Sequence, residues 1–157
     1  MILTRVIPTP LGDLLITGDG ESVSGLYFPQ HPPIEWDGPG AFEVAVAQLE
    51  EWFEGKRTEF DLKLDPQGTL FQRRIWEALS EIPYGKTVSY LDIATRAGNP
   101  RAARPAGRAI GRNPIAIIVP CHRVIGSNGA LTGYGGGMDR KRWLLEHEQV
   151  VIKRRTL

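Results

Sequence analysis

The chain has 157 residues and one cysteine, Cys121, in the run "PCHR" directly before His122 and Arg123. A thiol becomes a useful nucleophile as its thiolate, which requires a base to take the proton or positive charge close by. His122 is the candidate base. Adjacent side chains of an extended strand point to opposite faces, so His122 serves Cys121 only where the backbone turns sharply or a water bridges them. The chemistry therefore predicts irregular backbone at this point. A base also needs a third group to orient it, and Glu148 in "RWLLEHE" is the candidate, expected at the C-terminal end of the last helix, where turning toward His122 offsets an unfavourable helix dipole. The competing reading of Cys121 is a small buried hydrophobe. Residues 115–119, "IAIIV", are apolar and β-branched between Pro114 and Pro120, which predicts a buried strand that stops at the cysteine. Metal binding is not expected, because one Cys and histidines at 31, 122 and 147 offer no ligand spacing. His31 and His147 read as surface residues.

A second set of residues is basic. Arg101, Arg104, Arg108 and Arg112 are spaced three, four and four apart, so a continuous helix places them on one stripe. Between them lie Ala102, Ala103, Ala106, Gly107 and Ala109, small enough to let a helix approach another surface closely. Like charges at this spacing repel unless an anion relieves them. The stripe is either a contact for phosphate or a solvated face.

The elements that must carry these residues follow from periodicity and punctuation. Residues 1–28 alternate as short strands, with Gly18-Asp19-Gly20 as a hairpin turn. A Pro-rich loop follows. "AFEVAVAQLEEWFEG" spaces Phe42, Val46, Leu49 and Phe53 as a helix ending at Gly55, and "TEFDLKLD" alternates like a strand. From residue 69 the pattern is mainly helical, with Leu70, Ile75, Leu79 and Ile82 on or near one face. Two short helices then flank "AGNP": one over 90–96, the other starting near Pro100 with Asn99 as cap. Their order resembles a helix-turn-helix. The expectation is an α/β (α+β) protein with a small lobe over 1–67 and a mainly helical lobe over 68–157.

Charge divides along the same line. Residues 1–69 hold 4 Lys/Arg and 12 Asp/Glu, and residues 70–157 hold 15 and 6. A basic half suggests a polyanion partner, although an acidic and a basic lobe could also simply attract each other. The N-terminal "MILTRVIPTP" carries no basic leader, and no apolar run is long enough to cross a bilayer, so a cytoplasmic protein with no membrane partner is expected. A single cysteine agrees with a reducing compartment.

The segments "IPYGKTVSYLDIA", "NPIAIIVPCHRVIGSNGALTGYGGG" and "KRWLLEHE", in this order over residues 68–148, closely resemble the O6-alkylguanine-DNA alkyltransferases. The resemblance implies a ribonuclease-H-like N-terminal lobe and direct-reversal repair without a cofactor. By the same resemblance Cys121 is expected to take the alkyl group from O6 of guanine, and from O4 of thymine, in duplex DNA, with the protein consumed. It further implies that His122 is the base acting through a water, that Glu148 orients it, that Asn113 braces the turn, and that Tyr90 hydrogen-bonds the guanine. Val124, Tyr134 and Gly135 are implied to line the base pocket. The resemblance also implies that Arg104 fills the stack vacated by the flipped base, that Ala103 and Gly107 let its helix enter the minor groove, and that Ser89 and Ser127 contact phosphate. A monomer in the absence of DNA is expected. Three features depart from the family pattern. Pro105 follows the finger arginine and is expected to delete the bond to the carbonyl of Arg101, kinking the helix at a cost of about 3 kcal/mol, or else to start the helix itself. Ala116 stands where some relatives have proline, and the zinc ligands of some first lobes are missing. Alternatives from other classes are a damage-binding protein without repair activity, a Cys-His-Glu hydrolase with multiple turnovers, and a helix-turn-helix regulator indifferent to loss of the thiol.

Overall fold

A computed structural model describes residues 2–31, 40–131 and 133–156. The Pro-rich loop expected after residue 28 lies outside the described residues from 32 to 39. The chain forms two compact units, Met1–Gln67 and Gly68–Leu157.

In the first unit β1 (Leu3–Thr9), β2 (Gly12–Gly18) and β3 (Val23–Tyr27) form an antiparallel sheet in the order β1-β2-β3. Ile7 pairs with Leu14, and Ile16 pairs with Leu26. These four residues are buried on the face that helix α1 (Glu43–Phe53) covers with Leu49 and Trp52. The hairpin between β2 and β3 requires Gly18, since a Cβ there would stand 2.0 Å from the Ser22 carbonyl oxygen. Two expectations are corrected. Trp52, fully buried, takes the core position assigned to Phe53, which is only half-buried. "TEFDLKLD" is not a regular strand: it makes one parallel bridge, Leu64 with Val23, and at Asp61 the buried amide of Gln48 bonds both the backbone N–H and the C=O.

The second unit begins with α2 (Leu70–Ser80), opened by a capping box between Thr69 and Gln72. Ile75, Trp76 and Leu79 face the core, whereas Leu70, expected on that face, is exposed. After a turn, β4 (Val88–Ser89) leads straight into α3 (Tyr90–Arg96), and α4 (Ala103–Gly111) follows across a turn containing Gly98. The Trp76 indole N–H donates to the Ala109 carbonyl at 2.8 Å, so α2 is tied to α4. Ala106, Ala109 and Ile110 form the buried side of α4, which packs on α2 and α3.

The second helix does not start near Pro100. Asn99 accepts a bond from the Arg101 N–H in a local turn, and the first helical bond is Ala106 N–H to Ala102 C=O, at 2.8 Å. Pro105 is thus the third residue of α4, where an N–H has no intrahelical partner in any case. It deletes no bond with Arg101 and neither kinks nor starts the helix. Arg101 precedes the helix, and the stripe is reduced to Arg104 and Arg108 within it and Arg112 at its end.

Ile115, Ile117, Ile118 and Val119 are buried, as apolar β-branched residues should be, but the segment forms turns instead of a strand. Ile118 N–H bonds the Ala116 carbonyl, Val119 N–H bonds the Ile115 carbonyl, and Ile117 adopts φ +70°. A β-branched residue in the left-handed region costs of order 1–3 kcal/mol and persists only when its surroundings dictate it. Here the Asn113 side chain does so: its amide donates to the carbonyls of Ile115 (3.3 Å) and Val119 (2.9 Å), and its oxygen accepts from Ile115 N–H (3.1 Å). The chain then passes through a single 3-10 turn, Cys121–Arg123, into β5 (Val124–Ile125), which pairs in parallel with β4. The last helix, α5 (Met138–Arg155), continues through the C-terminal "VVIKRR", so Glu148 lies within it and not at its C-terminal end.

Candidate active site

The 3-10 turn supplies the irregular backbone that the Cys-His adjacency demands. Cys121 retains 9% exposure, and His122 and Glu148 have none. His122 Nε2 lies 2.7 Å from Glu148 Oε2. Because α5 does not end near Glu148, the carboxylate is not matched against a helix dipole; Arg123 matches it instead. The guanidinium donates through Nε (3.0 and 3.1 Å) and Nη2 (2.8 Å) to the two carboxylate oxygens, and through Nη1 to the Ile82 carbonyl (2.8 Å). The Gly85 N–H adds a bond to Glu148 Oε1 at 3.0 Å. Tyr84 lies under the Arg123 guanidinium, with 5.4 Å from the charge to the ring centre.

These contacts set the charge states. Burial alone pushes the Glu148 carboxyl up, but the hydrogen bonds and charges of His122 and Arg123 outweigh it and hold the group at about 2. Burial lowers His122 against the pull of that carboxylate, so at rest the imidazole is neutral beside an ionised Glu148–Arg123 pair. Cys121 is pushed up by burial, opposed by the Asn113 side chain and by Lys141. The resting group is accordingly a thiol, and the arginines of α4 are not its electrostatic partners.

Tyr90 opens α3, half-buried, with its ring edge 3.6 Å from where a Cβ on Gly107 of α4 would stand and its hydroxyl 4.0 Å from the same point on Gly133. It spans from α4 to the "GYGGG" loop. In that loop the Tyr134 hydroxyl is buried without a hydrogen-bond partner among the described residues, and burial, followed by the nearby Cys121, pushes it up. A Cβ on Gly135 would lie 3.9 Å from the Gly111 carbonyl oxygen. Val124 is fully buried. Ser89 caps α3 by accepting from Asp92 N–H at 3.1 Å, while Ser127 is exposed beyond β5. Arg104 is exposed on α4 between half-buried Ala103 and Pro105, with Gly107 half-buried one turn on. Arg108 and Arg112 wall a cleft of about 230 Å³ against Thr69 and Gln72. His147 is not a plain surface residue, since its ring stacks on Trp143 at 4.8 Å.

Sequence reasoning missed Arg123 as the partner of Glu148, and it missed Lys141. Lys141 is 1% exposed and donates to the Val124 carbonyl at 2.6 Å. A signal existed: positions 141, 144, 148 and 151 share one face of a helix, so a buried Glu148 implies a buried Lys141 two turns earlier. Among the described residues no cluster of His, Cys, Asp and Glu could hold a metal, and no helix is long and apolar enough to cross a membrane.

Comparison with known proteins matches both units. Residues 2–66 match the ribonuclease-like domain of 6-O-methylguanine DNA methyltransferase, and residues 70–150 match its DNA-binding domain. A methylated-DNA–protein-cysteine methyltransferase of Mycobacterium bovis is 54% identical over 155 residues, covering 95% of this chain and 93% of the relative. The crystal structure of Mycobacterium tuberculosis O6-methylguanine methyltransferase is similar with TM-score 0.89 and 52% identity, covering 96% of this chain and 94% of that one. A structure of the Mycobacterium tuberculosis protein in complex with DNA gives 0.88 and 53%, covering 94% and 93%.

Proposed function

The chain belongs to the methylated-DNA–protein-cysteine methyltransferase family of DNA-repair enzymes, and from that membership we propose that it removes alkyl groups from O6 of guanine, and from O4 of thymine, in duplex DNA by transferring them irreversibly to Cys121. The observation that carries the reading is the buried sequence Cys121–His122–Glu148, with its carboxylate already satisfied by Arg123.

The reaction runs as a displacement. Cys121 gives its proton to His122 through one water, and the Glu148 carboxylate stabilises the imidazolium that results. The sulfur attacks the alkyl carbon opposite the C–O6 bond; the S–C bond forms, the C–O6 bond breaks, and its electron pair remains on the purine, which takes a proton and becomes guanine. Tyr90 hydrogen-bonds the base and offsets the charge developing on it. Asn113 keeps the turn at residues 115–119 in the conformation that presents Cys121, and Val124, Tyr134 and Gly135 line the pocket. A base inside a duplex is out of reach, so it is flipped at a cost of a few kcal/mol. Arg104 fills the gap from the minor groove, Ala103 and Gly107 give α4 the thin profile this requires, and Ser89 and Ser127 contact phosphate. A thioether does not react with water, so each molecule acts once.

Mass spectrometry after incubation with an O6-methylguanine duplex tests the reading. One methyl group per protein, on the Cys121 peptide, is expected, with none on Cys121→Ser. Product in excess of protein would point to a hydrolase, and an unmodified but folded protein would overturn the assignment.

A further inference from the structure

The turn "IPYG", residues 82–85, wraps the ion pair that stands behind the base. We propose that Tyr84 in this turn is a positioning residue: its ring, laid against the Arg123 guanidinium at 5.4 Å, holds that cation on Glu148 and shields it from water, and so keeps His122 ready to accept the proton of Cys121. The proposal rests on His122 being the base of the transfer.

Three observations lead to it. First, the turn is fastened on both sides of the pair: the Ile82 carbonyl accepts from Arg123 Nη1 at 2.8 Å, the Gly85 N–H donates to Glu148 Oε1 at 3.0 Å, and the Gly85 carbonyl accepts from the Gln149 side chain at 2.8 Å. Gly85, at φ +78°, lies in a turn closed by the Lys86 N–H on the Pro83 carbonyl, which fixes Tyr84 between these attachments. Second, Nε, Nη1 and Nη2 of Arg123 are all engaged in the plane of the guanidinium, so a contact on its face is what remains to hold it. Tyr84 lies within the roughly 6 Å at which a cation over an aromatic ring is attracted to it. Burial, with Glu148, pushes the Tyr84 hydroxyl up to about 12 against the charges of Arg123 and Arg155, so the ring stays neutral at working pH. Third, the cation held in this way acts on the base. Burial lowers His122 most, Glu148 pulls it up, and Arg123 and then Lys141 push it down. The charges acting on His122 are thus Glu148 and Lys141 from α5 and Arg123 from its own turn, and Arg123 is the one on which the Tyr84 ring lies. Without that ring, water reaches the guanidinium, and both the burial and the Arg123 charge weaken, while the direct 2.7 Å contact with Glu148 is kept. His122 then holds a proton at higher pH and serves less well as a base.

The test compares the wild type with Y84F, which keeps the aromatic face, and Y84L, which removes it. Two quantities are followed across pH: the NMR titration of the labelled His122 ring, and the single-turnover rate of methyl transfer from an O6-methylguanine duplex. In Y84L the His122 midpoint and the acid limb of the rate profile are both expected to move up by about half a pH unit or more, so that transfer is about threefold slower or more below the midpoints and reaches the wild-type plateau above them. Y84F is expected to follow the wild type. Equal slowing of Y84L at every pH with an unmoved His122 midpoint would reduce Tyr84 to packing and overturn the proposal, as would equal shifts in Y84F and Y84L. Should Y84L not fold, phenylalanines of increasing ring fluorination at position 84 keep the shape and weaken the face of the ring in steps: a His122 midpoint that climbs with fluorination supports the proposal, and a flat series refutes it. Absence of transfer by the wild type would instead remove the assignment of His122 as the base, while the titration still decides whether Tyr84 acts on the imidazole.

Discussion

Glu148 has no exposed surface and accepts from an imidazole, a guanidinium and a backbone N–H, so its charge matters for folding as well as chemistry. Replacing it with Gln leaves Arg123 buried without a counter-charge, which is expected to cost about 3–5 kcal/mol in urea unfolding and to abolish transfer. The pH dependence follows from the same group. Its carboxyl ionises at about 2 in the fold against an ordinary 4.5, so its contribution is complete above the ordinary value and is lost as pH falls through about 2. The amount is on the order of 3 kcal/mol. His122 is also lowered, from an ordinary 6.5, so acid favours the unfolded chain from that pH downward. Urea midpoints are expected to decline in two stages, below 6.5 and more steeply below 4.5, and E148Q should lack the second. At this scale Cys121, His122 and Glu148 were legible because thiol, imidazole and carboxylate form a chemically recognisable set. Arg123 and Lys141 were not, because a basic side chain reads as solvated unless the burial of its partner is already known.

Helical pattern and capping located most elements, and two of the failures share one cause: local signals were overridden by specific side-chain bonds. Residues 115–119 have strand composition, but three bonds from Asn113 bend them into turns with Ile117 at φ +70°. The segment over 58–65 alternates, but Gln48 occupies the place of a neighbouring strand at Asp61. Pro105 looked like a fault within a recognition helix and is instead tolerated in its first turn. Pro105→Ala is therefore expected to lower stability by only about 0.4–1 kcal/mol, through added freedom of the unfolded chain, and to leave DNA affinity unchanged in a titration. Gly85 is the opposite case. Its φ of +78° and a would-be Cβ only 1.9 Å from Ile152 Cδ1 predict that Gly85→Ala destabilises by at least about 1–2 kcal/mol, and the displaced N–H on Glu148 predicts slower transfer as well.

Across the whole molecule, the split between 12 acidic residues in the first 69 and 15 basic residues in the remainder gives the second unit most of the positive charge available to DNA. Arg108→Ala and Arg112→Ala are each expected to flatten the dependence of log affinity on log salt by about 1, as loss of a phosphate contact does, whereas Arg104→Ala should leave that slope alone and slow transfer. Methylation of Cys121 adds a carbon to a site with little spare space, so the alkylated protein is expected to be about 1–3 kcal/mol less stable, read as an earlier melting transition. The buried face of α5 places Lys141, Leu144, Glu148 and Val151 in succession. An all-aliphatic stripe could slide along its neighbours by a turn at little cost. With an ammonium and a carboxylate among its teeth, this helix fits at one axial position only, so these two charges act as a key that fixes the helix in its slot.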